Sequence, residues 1–274
     1  MYVCLMFIEG LTAWGLDTWM IVVILVASGF LVGLINTIAG SGTVISYSLF
    51  VALGMPAPLA NGTVRLGVVM QTLTSTLAFY RNGKLDLRKG WLLGIPIVLG
   101  SVLGAQVAAS INKDIFEIIV GVALLVLLVF IFVQPEKWIA GVREKQLRKV
   151  SFLQYFIFFA IGIYGGFLHI GVGIFLLTAL VLNSGYDLVQ ANGLKVFLVL
   201  LYSPFALAVF LINGQVEFLL GSIVAVGNIF GGWAGSKIAI KKGAGFIRIL
   251  LVIIIFIFST YLLGLWSLVF KWLH

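Results

Sequence analysis

An uncharged apolar stretch from Thr18 to Val64 constrains this chain more than any other feature. About 20 apolar residues in a helix are enough to cross a bilayer, and similar stretches recur along the sequence. Hydrophobic residues make up 62% of the 274 residues and charged residues only 9%, which leaves too few polar side chains to cover a soluble domain. The sequence therefore predicts an all-α polytopic membrane protein that is surrounded by the lipid bilayer.

The sequence repeats itself after a shift of 131 residues. The tripeptide ANG at residues 60–62 meets ANG at 191–193. Seven glycines, Gly40, Gly42, Gly54, Gly83, Gly90, Gly100 and Gly104, fall on Gly171, Gly173, Gly185, Gly214, Gly221, Gly231 and Gly235. Two-fold internal repetition is typical of secondary transporters, which bind their substrate between the repeats. We predict a first transmembrane repeat over residues 1–133, a basic cytoplasmic linker over 134–150 and a second transmembrane repeat over 151–274.

The basic residues predict that the two repeats have opposite orientations. The loop RNGKLDLRK at residues 81–89 is rich in Lys and Arg, whereas its counterpart NGQVEFL at 213–219 contains neither. Cytoplasmic loops of membrane proteins collect Lys and Arg, so the first loop is expected inside and the second outside. Equivalent loops on opposite faces indicate inverted-topology repeats. The same rule explains the net charge of +8 without a nucleic-acid partner.

Each repeat is predicted to contain a broken, re-entrant helical hairpin and three full transmembrane helices. We expect the full helices near residues 59–80, 90–111, 115–133, 188–212, 217–237 and 246–270. If the linker and the loop NSGYD at residues 183–187 are both cytoplasmic, residues 151–182 must cross the membrane an even number of times, but they are too few for two full crossings. They are therefore expected to form two short helices that meet at HIGVG, residues 169–173. The counterpart in the first half meets at AGSG, residues 39–42.

The two glycine-rich breaks form the first part of a predicted binding site. Irregular backbone at membrane depth is tolerated only where it is buried in protein or lines a cavity. Short helices that begin near Thr43 and Ile174 would point N-terminal amides, which favour anions, towards the breaks. The candidate residues are Gly40, Ser41, Gly42 and Thr43 in the first half and His169, Gly171 and Gly173 in the second. The alternative is that these glycines only allow helices to pack closely, which is our interpretation of Gly100, Gly104, Gly231 and Gly235.

Two cations at membrane depth complete the predicted site. Arg65 follows Asn61 by four residues and Lys195 follows Asn192 by three, so each pair can share one helix face. The predicted topology places no Asp or Glu at a similar depth, and an unpaired cation there suits a small anionic substrate. The alternative is that both side chains extend to the membrane surface.

His169 is the one histidine within a predicted span. Its imidazole either carries a proton during transport or, in its neutral form, satisfies the backbone of the turn. Coupling to H⁺ therefore stays open, as does coupling to Na⁺ held by backbone carbonyls. With two histidines, one cysteine and no carboxylate in mid-membrane, the chain offers neither a metal site nor a catalytic cluster. We expect no cofactor and no enzyme activity, and we predict no oligomeric state.

Three segments carry a resemblance to a known family. They are LGMPAPLANGTVR at residues 53–65, FYRNGKLDLRK at 79–89 and GSVLGAQVA at 100–108. Together with the glycine-rich break, and with a looser copy in the second half, they resemble the sulfite exporter TauE/SafE family from about Gly29 to the final helix. The family's break and its A-x-G-T segment match Ala39–Thr43 and Ala60–Thr63. In the second half Leu194 replaces the threonine and Lys195 follows it, which departs from the family's pattern.

The resemblance implies a secondary transporter in the cytoplasmic membrane of a prokaryote. Its expected substrates are sulfite, sulfoacetate or related organosulfonates, carried mostly outward. Together with the repeats and the cations, this favours a carrier that works by alternating access. The alternatives are an anion channel, which could use the same groups without coupling, and a carrier for another small organic anion.

Overall fold

The computed structural model describes residues 17–122 and 150–262. Within these ranges the chain forms helices and no strand, which confirms the predicted all-α class for this part of the protein. The helices are α1 (Thr18–Ile38), α2 (Thr43–Ala52), α3 (Ala57–Arg81), α4 (Leu87–Ser110), α5 (113–122), α6 (Phe152–Phe167), α7 (Val172–Thr178, continued by a π-helical turn Ala179–Asn183), α8 (Leu188–Ile212) and α9 (Phe218–Leu262). The rest of the predicted helix 115–133, the linker 134–150 up to its last residue, and the end of the helix 246–270 lie outside the described residues.

Among the described residues, four helices are long and apolar enough to cross a membrane: α1, α4, α8 and the Phe218–Gly243 part of α9. α3 is as long as α8, at 25 residues, but it carries many more polar side chains. Its Asn61, Arg65 and Gln71 are all buried inside the protein. The middle of α4 exposes apolar side chains, with Ile95 63% and Leu99 59% exposed, as expected of a surface that faces lipid. The fold therefore indicates a multi-pass membrane protein.

The helix boundaries of the two halves correspond. α3 and α8 have the same length, and their first residues, Ala57 and Leu188, lie 131 positions apart. α4 and α9 begin with the same spacing, at Leu87 and Phe218. Turns with a positive φ also recur in register, in the pairs Gly40 and Gly171, Gly54 and Gly185, and Gly83 and Gly214. Glycine adopts this conformation without steric cost, so the same turns are built at matching places.

The C-terminal part of the chain differs from the prediction in one respect. The helices predicted at 217–237 and 246–270 correspond to two helices within α9, and the first of them continues to a kink at Gly243 with φ 72° and ψ −170°. The predicted end at residue 237 is therefore wrong. Lys237 and Lys241 are exposed, and Lys237 places its ammonium 3.8 Å from the centre of the Trp233 ring. Lysines lower the local hydropathy, but they do not stop a helix whose side chains reach the membrane surface.

Gly100, Gly104 and Gly231 lie where helices pack closely, as predicted. A Cβ atom at Gly100 would overlap the carbonyl oxygen of Phe159, and one at Gly104 would overlap that of Ile163. These contacts join α4 to α6. Gly231 meets the carbonyl of Phe30 in the same way and joins α9 to α1. Small residues of this kind let membrane helices approach until their backbones touch.

The helices of the two halves interleave into two bundles. The first helix of each half packs on a late helix of the other half, α1 on α9 and α6 on α4. α3 joins the first pair, where Gly67 contacts Asn228, and α8 joins the second pair, where Gly94 contacts Leu201. One bundle is therefore α1, α3 and α9, and the other is α4, α6 and α8. The bundles meet along α3 and α8.

Two buried apolar clusters lie on either side of the breaks. One includes Ile38 with Phe79, and the other includes Leu168 with Phe210. Both clusters draw residues from both halves of the chain. The breaks between them carry buried polar side chains, so the polar centre of the protein is enclosed by apolar packing.

Candidate functional site

Both predicted breaks are present and buried. α1 ends at Ile38 and α2 begins at Thr43, as the sequence predicts. α6 ends at Phe167 and α7 begins at Val172, two residues before the predicted start. Gly40 and Gly171 have φ values of 81° and 73°, which reverse the chain at each break. Ser41, Gly42, Thr43, His169 and Gly173 are all buried.

The structure brings the two breaks into direct contact. The amide of Gly173 donates a hydrogen bond to the carbonyl oxygen of Gly40 over 3.2 Å. A Cβ atom on either glycine would overlap the backbone of the other. The hydroxyl of Thr43 donates to the carbonyl oxygen of His169 over 3.4 Å. These glycines are therefore needed for the contact between the breaks.

Arg65 binds the end of α6. Its Nη1 donates to the carbonyl of Gly165 over 3.1 Å and its Nη2 to that of Gly166 over 2.6 Å. Asn61 Nδ2 donates to the next carbonyl, that of Phe167, over 2.9 Å. The last carbonyls of a helix have no partner within it and carry a partial negative charge, so a cation there is favourable.

Lys195 binds the end of α1 in the same way. Its Nζ donates to the carbonyls of Asn36 over 3.0 Å and Thr37 over 2.7 Å. Asn192 Nδ2 donates to the carbonyl of Ile38 over 3.2 Å. Each half of the chain therefore supplies one cation and one amide that stabilise the broken helix of the other half.

These contacts exclude the alternative that Arg65 and Lys195 extend to the membrane surface, and they reveal partners that were not predicted. Arg65 and Lys195 are 0% and 1% exposed, so neither extends to the membrane surface. The sequence predicted a role for the N-terminal ends of the short helices, whereas the observed partners of the two cations are C-terminal carbonyls of α1 and α6. The amide oxygens of Asn61 and Asn192, and Nε of Arg65, are buried without a hydrogen-bond partner.

A small cavity lies beside the contact between the breaks. Its volume is about 10 Å³, measured as the room for the centre of a water molecule, which corresponds to about one water. Four predicted site residues line it: Gly40, His169, Gly173 and Lys195. Three polar residues that were not predicted from the sequence also line it: Asn36, Gln71 and Thr72. Gln71 lies six residues after Arg65 in a helix unusually rich in polar residues, and that richness was the available signal.

Hydrogen bonds fix the orientation of the side chains around the cavity. Asn36 Nδ2 donates to Gln71 Oε1 over 2.8 Å, and Gln71 Nε2 donates to the hydroxyl of Thr37 over 2.9 Å. On the other side, His169 Nδ1 and the hydroxyl of Tyr202 are 2.9 Å apart. Within residues 17–122 and 150–262, the buried polar side chains include no Asp or Glu. The same residues contain no group of three or more His, Cys, Asp or Glu side chains that could hold a metal ion.

Comparison with known proteins identifies the family. The family model described as sulfite exporter TauE/SafE matches residues 25–262. A "probable membrane transporter protein" of Haemophilus influenzae is 28% identical over 239 residues, which cover 86% of this chain and 92% of that protein. The probable membrane transporter protein YfcA of Escherichia coli K12 is 26% identical over 235 residues, covering 85% and 86% of the two chains. No solved structure matches. The chain belongs to the sulfite exporter TauE/SafE family and is a membrane transporter.

Proposed function

We propose that the protein is a secondary transporter that exports a small sulfur-containing oxyanion, such as sulfite, sulfoacetate or a related organosulfonate, across the cytoplasmic membrane of a prokaryote. The observation that carries this proposal is the contact between the two breaks, with two buried cations beside it. Carriers of this general design bind their substrate near the bilayer midplane, where discontinuous helices meet. The predicted site residues lie at or next to this meeting point.

The direction of the helices supports inverted-topology repeats. α3 and α8 hold equivalent positions in the two halves, yet they run antiparallel. Gly193 near the start of α8 lies against Phe79 near the end of α3, and Gly62 near the start of α3 lies against Phe210 near the end of α8. Repeats related by a two-fold axis in the membrane plane have this arrangement, which suits alternating access.

The charge of the site supports an anionic substrate. Two buried cations are held by neutral carbonyl groups, and no buried carboxylate of the described residues balances them. Burying uncompensated charge is costly, so a small anion between the bundles would lower the electrostatic energy of the site. Coupling to H⁺ would use His169, and coupling to Na⁺ would use the unpaired amide oxygens of Asn61 and Asn192.

A binding screen tests the substrate class. Purified protein in detergent is heated with sulfite, sulfate, thiosulfate, sulfoacetate or acetate, and its unfolding temperature is recorded. A ligand that binds only the folded protein raises this temperature as its concentration increases. We expect sulfite or sulfoacetate to raise it at concentrations where acetate does not. If no sulfur oxyanion has any effect, the proposal is wrong.

Flux measurements in proteoliposomes separate a carrier from a channel. We expect uptake of the stabilising anion to saturate and to accelerate when the same anion is present on the opposite side. Ohmic single-channel current would instead favour the channel. Replacing Na⁺ by choline, and separately dissipating the pH gradient, identifies the coupling ion.

A further inference from the structure

We infer that the anion binds on one side of the break contact only, to the ammonium of Lys195 and the amide groups of Asn36 and Gln71. In this arrangement Arg65 holds the end of a helix and does not touch the anion. The inference rests on the proposed function, and it replaces a symmetric site between two cations by an asymmetric one. The first reason is the position of the cavity, which Lys195, Asn36 and Gln71 line and Arg65 does not.

The hydrogen bonds around the cavity leave three N–H groups for a ligand. An ammonium has three N–H groups, and Lys195 uses two of them on carbonyl oxygens. A side-chain amide has two, and Asn36 and Gln71 each use one. Each of these three side chains therefore keeps one donor.

Three donors and one positive charge define the chemical class of the ligand. They match a compact anion with three oxygen acceptors on one central atom, as in sulfite or the sulfonate group. The hydrogen bond between Asn36 and Gln71 fixes the orientation of both side chains. The Gln71 amide oxygen accepts this bond, and one N–H of each side chain remains for a ligand. The cavity holds about one water molecule, and an oxyanion of four heavy atoms is larger. Binding therefore requires the two breaks to move apart.

The mirror-related side of the break contact lacks these groups. A shift of 131 positions takes Asn36 to Phe167 and Gln71 to Tyr202, so aromatic residues replace both amides. Arg65 on this side does not line the cavity; it donates one N–H from each terminal nitrogen to the carbonyls of α6, and its guanidinium lies 4.7 Å from the centre of the Phe210 ring. An aromatic face and two carbonyls already stabilise this cation.

Calorimetric titration of the purified full-length protein with sodium sulfite, sodium sulfate and sodium sulfoacetate tests the inference. Lys195→Gln removes the charge but keeps an N–H donor for the carbonyls of α1. Gln71→Glu keeps the shape of the side chain and places a negative charge at the cavity. We expect each variant to raise the Kd of the bound anion at least about tenfold, because hydrogen bonds to charged groups are strong.

Ser203→Ala is the matched control. Ser203 is the 131-shifted counterpart of Thr72, and its buried side chain does not line the cavity. The control should leave the Kd unchanged. Wild-type affinity in both Lys195→Gln and Gln71→Glu, or a rise in Ser203→Ala as large as in Lys195→Gln, overturns the one-sided site while the proposed function stands. If the wild-type protein binds none of the three anions, the proposed function fails and the inference fails with it.

Discussion

At the scale of single residues, Arg65 and Lys195 show how a buried cation can be stabilised without a carboxylate. Each faces two carbonyl oxygens at a helix end, where the backbone already carries a partial negative charge. Both cations therefore contribute to folding. The sequence predicted that they lie deep in the protein, but it could not predict these partners, because carbonyl groups are present at every position.

Replacing Arg65 by methionine should lower the free energy of unfolding by about 2–5 kcal/mol. The change leaves the buried carbonyls of Gly165 and Gly166 without donors, and each unsatisfied group costs about 1–3 kcal/mol. Arg65→Lys should lose less, because the charge and part of the donor set remain. Denaturant titration in detergent micelles measures the difference. Arg81→Met at the exposed end of α3 is the control and should stay within about 0.5 kcal/mol of the wild type. An Arg65→Met protein as stable as this control would contradict the assignment.

At the scale of helices, the sequence located both breaks to within two residues. Gly40 and Gly171 both have a positive φ, which glycine adopts without steric cost. The glycines in the sequence therefore determine the backbone geometry of the breaks. The sequence predicted that both breaks belong to one site, whereas their direct contact depends on Gly173, which has no positive φ. Glycine is required at this position because a side chain would overlap the backbone of Gly40. The sequence could not predict this requirement, because Gly40 lies 133 residues away in the chain.

Gly173→Ala should lower the free energy of unfolding by about 1–3 kcal/mol, the usual cost of overpacking a well-packed interior. The new methyl group would overlap the backbone of Gly40, which cannot move like a flexible side chain. Gly121→Ala is a matched control, since Gly121 is helical and its Cβ would meet no atom within 4 Å. The control should be neutral or more stable by up to about 1 kcal/mol, because alanine favours helix. Equal effects of the two substitutions would show that the breaks do not touch.

At the scale of the whole molecule, the helices that pack together are not the helices of one repeat. The repeat in the sequence predicts two halves, but α1 and α6 each pack on a late helix of the other half. If the protein rocks, the bundle of α1, α3 and α9 therefore moves against the bundle of α4, α6 and α8. The 131-residue repeat reveals which segments are equivalent. Which helices pack against each other depends instead on glycine contacts between segments that are distant in the sequence.

The two faces of the molecule also differ in how their loops are held. On the face of the basic loop, the hydroxyl of Tyr186 donates to Asp86 Oδ2 over 2.7 Å and joins the second half to the first. At the opposite face the corresponding residues are Met55 and Glu217, and Met55 lies in an apolar cluster. Burial and the hydrogen bond to Asp86 both raise the pKa of the Tyr186 phenol above its ordinary value of about 10.

Tyr186→Phe should therefore lower the free energy of unfolding by about 1.5–3 kcal/mol at pH 7, the usual contribution of a hydrogen bond to a charged group. Because the folded state raises the pKa of this tyrosine, its stabilising effect is complete below about pH 10 and decreases as the pH rises above that value, where the unfolded chain loses the proton first. Denaturant titrations of both proteins from pH 7 to pH 11 measure the difference. Tyr80→Phe, at a tyrosine that is 55% exposed, is the control and should leave the free energy of unfolding at pH 7 within about 0.5 kcal/mol of the wild type. A Tyr186→Phe difference that stays constant to pH 11 would mean that the phenol proton does not hold these loops together.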